Sequence, residues 1–366
     1  MDGYWQGLRA VESPSVSITI VTHNSKGWIG ACLESVLAQE GVLLEVVVVD
    51  NASCDGTQEI LEGYRDRARV IYNGRNTGFA AGQNLAIESS GGDWILTLNP
   101  DVLMKPDFAR ELVEACVDDP RTGAACGKLL RIRRDFSFLE SPRIDSTGIY
   151  FTPSLRHFDR GWNDPDDGRY DRREFVCGPS GAAALYRRAM IEDVSLGREF
   201  FDEEFFSYRE DADVAWRAQL LGWRCIYTPR AVGWHVRRLT PETRRKVSAA
   251  VNMHSVKNRF LMRIKNATGG LYRRHWWEIT GRDMLVLGGC ILREQSSLRA
   301  FSLLWRGWKR ALRWRREIMQ RRLATDLDLE RWFAGGPADS EVEKKVVHGA
   351  RDLRDGTLPV GNRLLR

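Results

Sequence analysis

The sequence predicts an α/β protein: a mostly parallel sheet flanked by helices, followed by a helical extension of different character. Three observations carry this. Strand-like and helix-like segments alternate four times before residue 120. The second strand-like run, residues 43–49, is apolar almost throughout, as in a strand covered on both faces. Beyond Thr240 the chain turns basic and tryptophan-rich.

Residues 16–20 form a β-branched run, after which Ile29, Cys32, Leu33, Val36 and Leu37 recur at helical spacing. Residues 43–49 and 57–67 repeat the strand and helix, as do 69–72 and 79–90. The fourth strand, 94–98, ends at Asn99-Pro100-Asp101, and Pro106 opens a helix to about Val117, where its missing N–H costs nothing. Residues 131–173 are charged, punctuated by Pro and Gly and without period, which predicts irregular structure over the sheet. A strand at 181–186, a helix at 211–221 and a strand at 224–228 complete the domain. The expected division is a tail at 1–15, a catalytic domain at 16–240, a basic helical region at 241–325 and a tail at 326–366.

Composition narrows the class. The first residues lack the apolar stretch of a secretory signal, which predicts a cytoplasmic protein. Seven cysteines without a Cys-x-x-Cys pair read as reduced core thiols. The longest uncharged apolar run, 284–292, falls well short of the ~20 residues that cross a bilayer. Residues 237–322 hold 22 Lys/Arg against 5 Asp/Glu, a net +17 in a chain whose total is +6. That asymmetry points to an anionic partner surface.

Ligands of open parallel sheets bind beyond the carboxyl ends of strands, and here those ends are polar: Thr22-His23-Asn24, Asp50-Asn51 and Asn99-Pro100-Asp101. A carboxylate at Asp50 can accept hydrogen bonds from a base or a ribose. One at Asp101 suits a hard cation, Mg2+ or Mn2+. Asn76-Thr77-Gly78-Phe79-Ala80-Ala81-Gly82-Gln83-Asn84 places glycines and amides at a helix mouth, where N–H groups favour a phosphate. Glu210-Asp211 opens a helix, and His235 closes an apolar strand. Each also fits a plainer role: Asx turns for Asp50 and Asp101, packing for Gly78 and Gly82, an N-cap for Asp211, a structural imidazole for His235.

Taken in order, these motifs resemble family 2 glycosyltransferases, specifically the rhamnosyltransferase-like branch, over about residues 16–240. Ile20-Val21-Thr22-His23-Asn24 is similar to the family's opening strand and turn, and Asp50-Asn51-Ala52-Ser53-Cys54-Asp55-Gly56-Thr57 to its nucleotide-binding segment. Residues 76–84 match the Asn-x-Gly-Phe-x-x-Gly-x-Asn segment, while Asn99-Pro100-Asp101 stands where other members carry Asp-x-Asp. Glu210-Asp211-Ala212-Asp213 resembles the Glu-Asp-x-Asp block. The resemblance implies the GT-A fold and Asp211 as the catalytic base, with Glu210 beside it in the catalytic site. It further implies a nucleotide-sugar site of Thr22, Asn24, Asp50, Asn51, Asn76, Gly78, Phe79, Gly82, Asn84 and Asn99, and Mg2+ or Mn2+ on Asp101 and His235. Implied partners are dTDP-rhamnose, or else a UDP-hexose or UDP-galactofuranose, and a glycan or lipid-linked acceptor of bacterial surface polysaccharide. Asn99 departs from the pattern and leaves one carboxylate where two would hold the ion.

In the basic region Leu298, Phe301, Trp305, Trp308 and Leu312 step by 3, 4, 3 and 4, with Arg299, Arg306, Lys309, Arg310 and Arg313 beside them. Such a helix suits the inner face of an anionic membrane; packing on the domain or in a homo-oligomer is the alternative. A basic nucleic-acid-binding protein is the alternative from another class, but nucleic acid is not the expected partner, because no helix-turn-helix, zinc-finger spacing or RNP-like motif appears. No Gly-x-Gly-x-x-Gly follows the first strand and no P-loop is present, which argues against dinucleotide enzymes and P-loop enzymes.

Overall fold

The computed structural model describes residues 13–237 and 249–333. The first twelve residues, 238–248 and the C-terminal tail beyond Phe333 lie outside the described residues.

Strands β1 (Ser15–Thr22), β2 (Leu43–Asp50), β3 (Arg69–Tyr72) and β4 (Trp94–Leu98) are parallel, with β4 and β2 flanking β1 and β3 outermost. Helices α1 (Ile29–Leu37), α2 (Thr57–Glu62) and α3 (Gly78–Glu88) are the crossovers. α1 buries Ile29, Cys32, Leu33 and Val36, the stripe its period predicts. The register pairs Thr22 with Asp50 and Asp50 with Tyr72, so the polar ends of neighbouring strands come level at one edge.

Past β4 the sheet becomes mixed. Next along the chain come β5 (Val102–Met104), α4 (Phe108–Cys116), β6 (Thr122–Arg131), β7 (Ile144–Ser146), β8 (Ile149–Phe151), β9 (His157–Asp159) and β10 (Glu174–Val176). They are followed by β11 (Ala183–Arg187), α5 (Arg188–Val194), α6 (Glu210–Leu220) and β12 (Arg224–His235). β11 lies antiparallel between β4 and β6, and β12 runs parallel to β6. The sequence reading passed over β6 because Gly and Ala replace the β-branched signal. Their smallness has a reason: a Cβ at Gly127 would stand 2.3 Å from the Ala231 carbonyl and 2.8 Å from the Phe108 ring. Residues 131–173, expected to be irregular, include three short strands, β7 to β9, and β7 pairs with β6.

The helical part comprises α7 (Ala249–Asn266), α8 (Gly269–Arg274), α9 (Trp276–Leu292), α10 (Arg299–Gln320) and α11 (Asp326–Glu330). It shares one core with α6: Trp216, Leu261, Ile279, Trp314, Ile318 and Phe333 belong to a single buried cluster. Phe333 stacks 4.8 Å from Phe151 and lies 4.8 Å from Trp216, so packing runs past the boundary drawn at residue 325. A buried ionic knot reinforces the join. Lys265, fully buried, reaches Asp202 at 2.5 Å and Asp213 at 2.9 Å, and Arg217 and Asn266 also hold Asp213. Removing one partner of such a knot costs about 3–5 kcal/mol, because a charge is left buried and alone.

α10 docks through Ala300, Gly307, Ala311, Trp314 and Ile318. The stripe expected to be its apolar face lies beside this seam and stays largely outside, with Trp305 79% exposed. Arg310 turns inward to Glu199 and Asp202. No helix among the described residues is long and apolar enough to cross a membrane.

Candidate active site

A cavity of about 2000 Å³ opens over the carboxyl ends of the parallel strands and continues to the inner face of α9. Asp101, His235, Glu210 and Asp211 all line it.

β12 is antiparallel to β5, with His235 opposite Val102. Asp101 immediately precedes β5, so this register brings its carboxylate within 3.4 Å of His235 Nε2. On the far side of the ring, His235 Nδ1 lies 2.7 Å from Asp145 Oδ2, and Arg237 donates to Asp145 Oδ1 at 3.2 Å. Burial opposes ionisation of Asp145, but Arg237 and His235 hold its carboxyl below the usual range. Burial likewise opposes charge on His235, yet Asp145 and Asp101 outweigh it and lift the imidazole to about 10.

These residues fit a divalent cation. Asp145 fixes the ring from behind so that Nε2 faces Asp101, the carboxylate–histidine arrangement that orients metal-binding imidazoles. Among the described residues no three His, Cys, Asp or Glu side chains converge on one point. A hard, six-coordinate ion on this pair would therefore take its other ligands from phosphate oxygens and water.

Asn51, Asn76, Gly78, Phe79 and Asn99 also line the cavity. Asn51 donates to the Gly78 carbonyl at 2.9 Å and accepts from Asn73 and Thr77 at 2.8 and 3.0 Å, clamping β2 to the mouth of α3. Thr22, Asn24, Asp50, Gly82 and Asn84 are not among the lining residues. Asp50, expected to touch the nucleotide, is fully buried; its carboxylate accepts from Ser53 N at 3.0 Å, Ser53 Oγ at 2.5 Å and Gln58 Nε2 at 2.7 Å, so it orders the turn. Thr22 is fully buried at the end of β1, and Asn24, at a left-handed φ of 51°, accepts from Cys54 N at 2.9 Å. A Cβ on Gly82 would fall 2.8 Å from Val21, which makes it a packing glycine. Asn84 bonds both backbone groups of Phe201, at 2.8 and 2.9 Å. The phosphate cradle expected at the α3 mouth is already partly filled. Gly78 N donates to Asn76 Oδ1 and Ala80 N to the Phe206 carbonyl.

Asp211 sits in the first turn of α6, where Gly181 N donates to its Oδ2 at 2.9 Å. Burial raises its carboxyl above the ordinary range, Gly181 N–H and Arg209 pull it back, and Asp159 adds to the rise. Glu210 is 8% exposed and its Oε2 has no hydrogen-bond partner. Burial, with Asp211 beside it, pushes Glu210 well above the usual range. Adjacent carboxyls are thus driven apart, Asp211 being the easier of the two to ionise.

The loop before α6 is strained, with Phe206, Tyr208 and Arg209 at positive φ of 63°, 73° and 75°. Asn258 of α7 holds it, its amide N–H groups reaching the carbonyls of Phe205, Ser207 and Tyr208 at 2.8, 2.9 and 2.8 Å. The same loop closes on α3: Gly78 has φ of +85°, and a Cβ there would lie 2.5 Å from the Phe206 carbonyl. Sequence reasoning missed Asp145, Gly181 and Asn258. Asp145 lies in a charged segment without period, and Asn258 sits among the bases of α7, where one amide gives no signal; the Pro-Ser-Gly turn ahead of β11 could have flagged Gly181.

Residues 17–195 match the sequence model described as glycosyl transferase family 2. The match spans just under half of the chain and makes this part similar to that family. Glu210, Asp211 and His235 lie beyond the matched residues, so their placement rests on the geometry above. The chain is 39% identical over 102 residues to the succinoglycan biosynthesis protein ExoO of Rhizobium meliloti, covering 28% of this chain and 29% of that protein. It is 24% identical over 238 residues to the poly-beta-1,6-N-acetyl-D-glucosamine synthase of Staphylococcus aureus, covering 63% of this chain and 52% of that protein. The chain thus spans about half or less of the length of these curated relatives. Among solved structures, GalNAc-T7, crystallised with UDP, GalNAc and Mn2+, superposes with a TM-score of 0.55 at 17% identity over 69% of this chain and 48% of that one. The fold of this domain is therefore GT-A.

Proposed function

We propose that the protein is an inverting glycosyltransferase that moves a sugar from a nucleotide-diphosphate donor to a hydroxyl of a glycan or lipid-linked acceptor in bacterial surface polysaccharide synthesis. The observation that carries this reading is the shared cavity: the Asp101–His235 pair and the Asp211 carboxylate face one space, each fixed by a neighbour.

Asp211 takes the acceptor hydroxyl's proton as that oxygen bonds to the anomeric carbon. The bond from that carbon to the diphosphate oxygen breaks on the opposite face, and the configuration inverts. Gly181 N–H holds Oδ2 of Asp211, and burial of Glu210 opposes a second negative charge beside it. Asp101 and His235 would hold Mg2+ or Mn2+, which when bound neutralises charge on the departing diphosphate. Asn51, Asn76, Phe79 and Asn99 form the donor wall. The order of motifs supports dTDP-L-rhamnose as donor; the N-acetylglucosamine named for one relative supports a UDP-hexose.

Membrane contact falls to α9 and α10. Trp277, Met284, Leu292 and Trp305 are 70%, 64%, 82% and 79% exposed, and Arg299, Arg306, Lys309 and Arg313 lie on the exposed side of α10. Exposed aromatics beside bases suit an anionic lipid surface.

The test is a nucleotide-sugar panel read by thermal shift and turnover, with and without Mn2+. One donor should raise Tm more with the ion than without, and its product should carry the opposite anomeric configuration. A panel in which no donor shifts Tm or turns over would overturn the reading.

A further inference from the structure

A series of ion pairs crosses the cavity from the donor side to the acceptor side, which lies beyond Asp211. It starts with Asp101 facing His235 and Asp145 behind the ring, and it continues past Asp145. Arg237, two residues after His235, donates from Nη1 to Asp145 Oδ1 at 3.2 Å and to the Asp145 carbonyl at 3.3 Å. Its other arm, Nη2, donates to Asp159 Oδ2. The guanidinium also lies 5.8 Å from the centre of the Trp162 ring, which steadies its plane. One fork therefore holds a carboxylate of β7 with one arm and a carboxylate of β9 with the other, a geometry that the point charge of an ammonium group does not reproduce.

Asp159 belongs to a hairpin outside the main sheet. β8 and β9 form a two-stranded sheet of their own, so contacts beyond their ladder decide where they stand. On the donor side that contact is Arg237 on Asp159. On the acceptor side Phe151 packs 5.2 Å from Trp216 of α6, and Arg209 donates to His157 Nδ1 at 3.2 Å alongside its bond to the Ser255 carbonyl. Burial, with the arginines around it, holds His157 far below its usual range, and an unprotonated imidazole nitrogen can accept that bond. Arg209 stands two residues before Asp211, and Asp159 is near enough to Asp211 to oppose its ionisation. The hairpin thus meets the support of the metal pair through one arginine and the loop of the base through another.

We propose that Arg237 is a positioning residue for both halves of the site: it orients His235 through Asp145 and, through Asp159 and β9, fixes the loop that carries Asp211. The metal pair and the base are then held at one separation by a single guanidinium. This inference rests on the transferase reading, in which the leaving diphosphate and the base act on opposite faces of one anomeric carbon. In such a geometry a misplacement of about 1 Å can cost about 10²-fold in rate. A salt bridge that served the fold alone would leave metal affinity and the loop independent of each other.

The experiment uses the full chain with Mn2+ and whichever of UDP and dTDP binds the wild type, below the lowest Tm of the set. Mn2+ affinity is read by electron paramagnetic resonance with nucleotide present, and amide hydrogen exchange is followed over β9 and residues 205–211. Because Phe206 also touches the mouth of α3, the quantity compared is the slowing that Mn2+ adds to saturating nucleotide alone. In the wild type Mn2+ should slow exchange in both segments. Arg237→Gln should lower Mn2+ affinity by about tenfold and abolish the added slowing at 205–211. Arg237→Lys, which keeps the charge and loses the fork, should do the same. Asp159→Asn leaves Arg237 on Asp145, so Mn2+ affinity should stay at the wild-type value while the slowing at 205–211 is lost. Wild-type Mn2+ affinity in both Arg237 variants, or slowing that survives Asp159→Asn, overturns the proposal, as do variants that lower Tm alone. Should the Arg237 variants not fold, Asp159→Asn decides by the exchange readout. If the wild type binds Mn2+ and nucleotide but the variants move neither quantity, this inference fails alone; if the wild type binds neither nucleotide, the transferase reading fails with it.

Discussion

The two walls of the cavity are built on opposite principles. On the donor side, polar side chains answer one another: Asn51 with Gly78, Asn73 and Thr77, Asp50 with Ser53 and Gln58, His235 between Asp101 and Asp145. On the acceptor side, arginines from separate elements crowd toward one another and an apolar helix face closes the space. A wall that satisfies itself is preorganised and needs its ligand only to complete a metal shell. A wall of arginines and apolar side chains offers a ligand charge and surface instead. Substitutions should therefore act on turnover and metal on the first side, and on acceptor and membrane affinity on the second.

The largest effect is expected where the walls meet. Asp211→Asn keeps the shape, retains an oxygen for only one of the Gly181 and Ala212 N–H groups, and removes the proposed base. Turnover should fall by roughly 10²–10⁴-fold, with donor affinity nearly unchanged. Near-normal turnover would remove Asp211 from the role. Because burial sets its carboxyl above the usual range, kcat/KM should decline on acidification through a pKa above the ordinary aspartate value of about 3.9. The sign follows from the form required: protonation on the low-pH side removes the acceptor of the proton. A profile flat down to the ordinary aspartate range would place the base elsewhere.

Asp145→Asn probes the donor wall from behind. It touches neither donor nor acceptor, yet it should lower Mn2+ affinity, measured with nucleotide present, by roughly 10–100-fold. Unchanged affinity would mean that His235 does not hold the ion. The residue also marks how far the sequence could be read. Asp101 and His235 were legible because each ends an apolar strand inside an ordered motif, and the parallel half of the sheet was legible for the same reason. Asp145 was not, since it lies on a three-residue strand inside a charged stretch and is defined only by pairing with β6. Asp50 shows the converse: its place at a strand end was plain, but that its carboxylate turns inward depends on Ser53 and Gln58, which only the folded turn brings together.

Asn258→Ala tests whether the helical extension serves the chemistry as well as the surface. Its amide ties α7 to the strained loop that carries Asp211, alongside Arg209 on Ser255 and Phe206 stacked on His254. Each lost hydrogen bond costs about 0.5–1.5 kcal/mol, and a loop relaxed by that much should lose about tenfold in kcat with KM for the donor unchanged. A fall in Tm without a change in kcat at low temperature would make the contact structural only. The dependence of this loop on a distant helix could not be read from the chain, because residues 205–208 and Asn258 are joined by a contact that leaves no period or motif.

The smallest effect belongs to the outer surface. Arg306 is exposed on α10 beside Trp305, away from the seam of Gly307, Ala311, Trp314 and Ile318, and is separate from the inward pairs of Arg310. A base near anionic lipid contributes about 1 kcal/mol, so Arg306→Gln should lower partitioning onto vesicles containing phosphatidylserine by about fivefold. Tm and turnover on a water-soluble acceptor should not move. Truncation of α10 cannot substitute for this test, because it would also strip Trp314 and Ile318 from the shared core. If partitioning is unchanged, and Trp305→Ser leaves it unchanged too, the exposed stripe does not meet lipid. A concentration-dependent change in mass with the same variants would then assign it to contact between copies. If partitioning falls while the soluble reaction stays intact, the basic surface acts by bringing enzyme and acceptor onto one plane, and the chemistry stays with the cavity behind it.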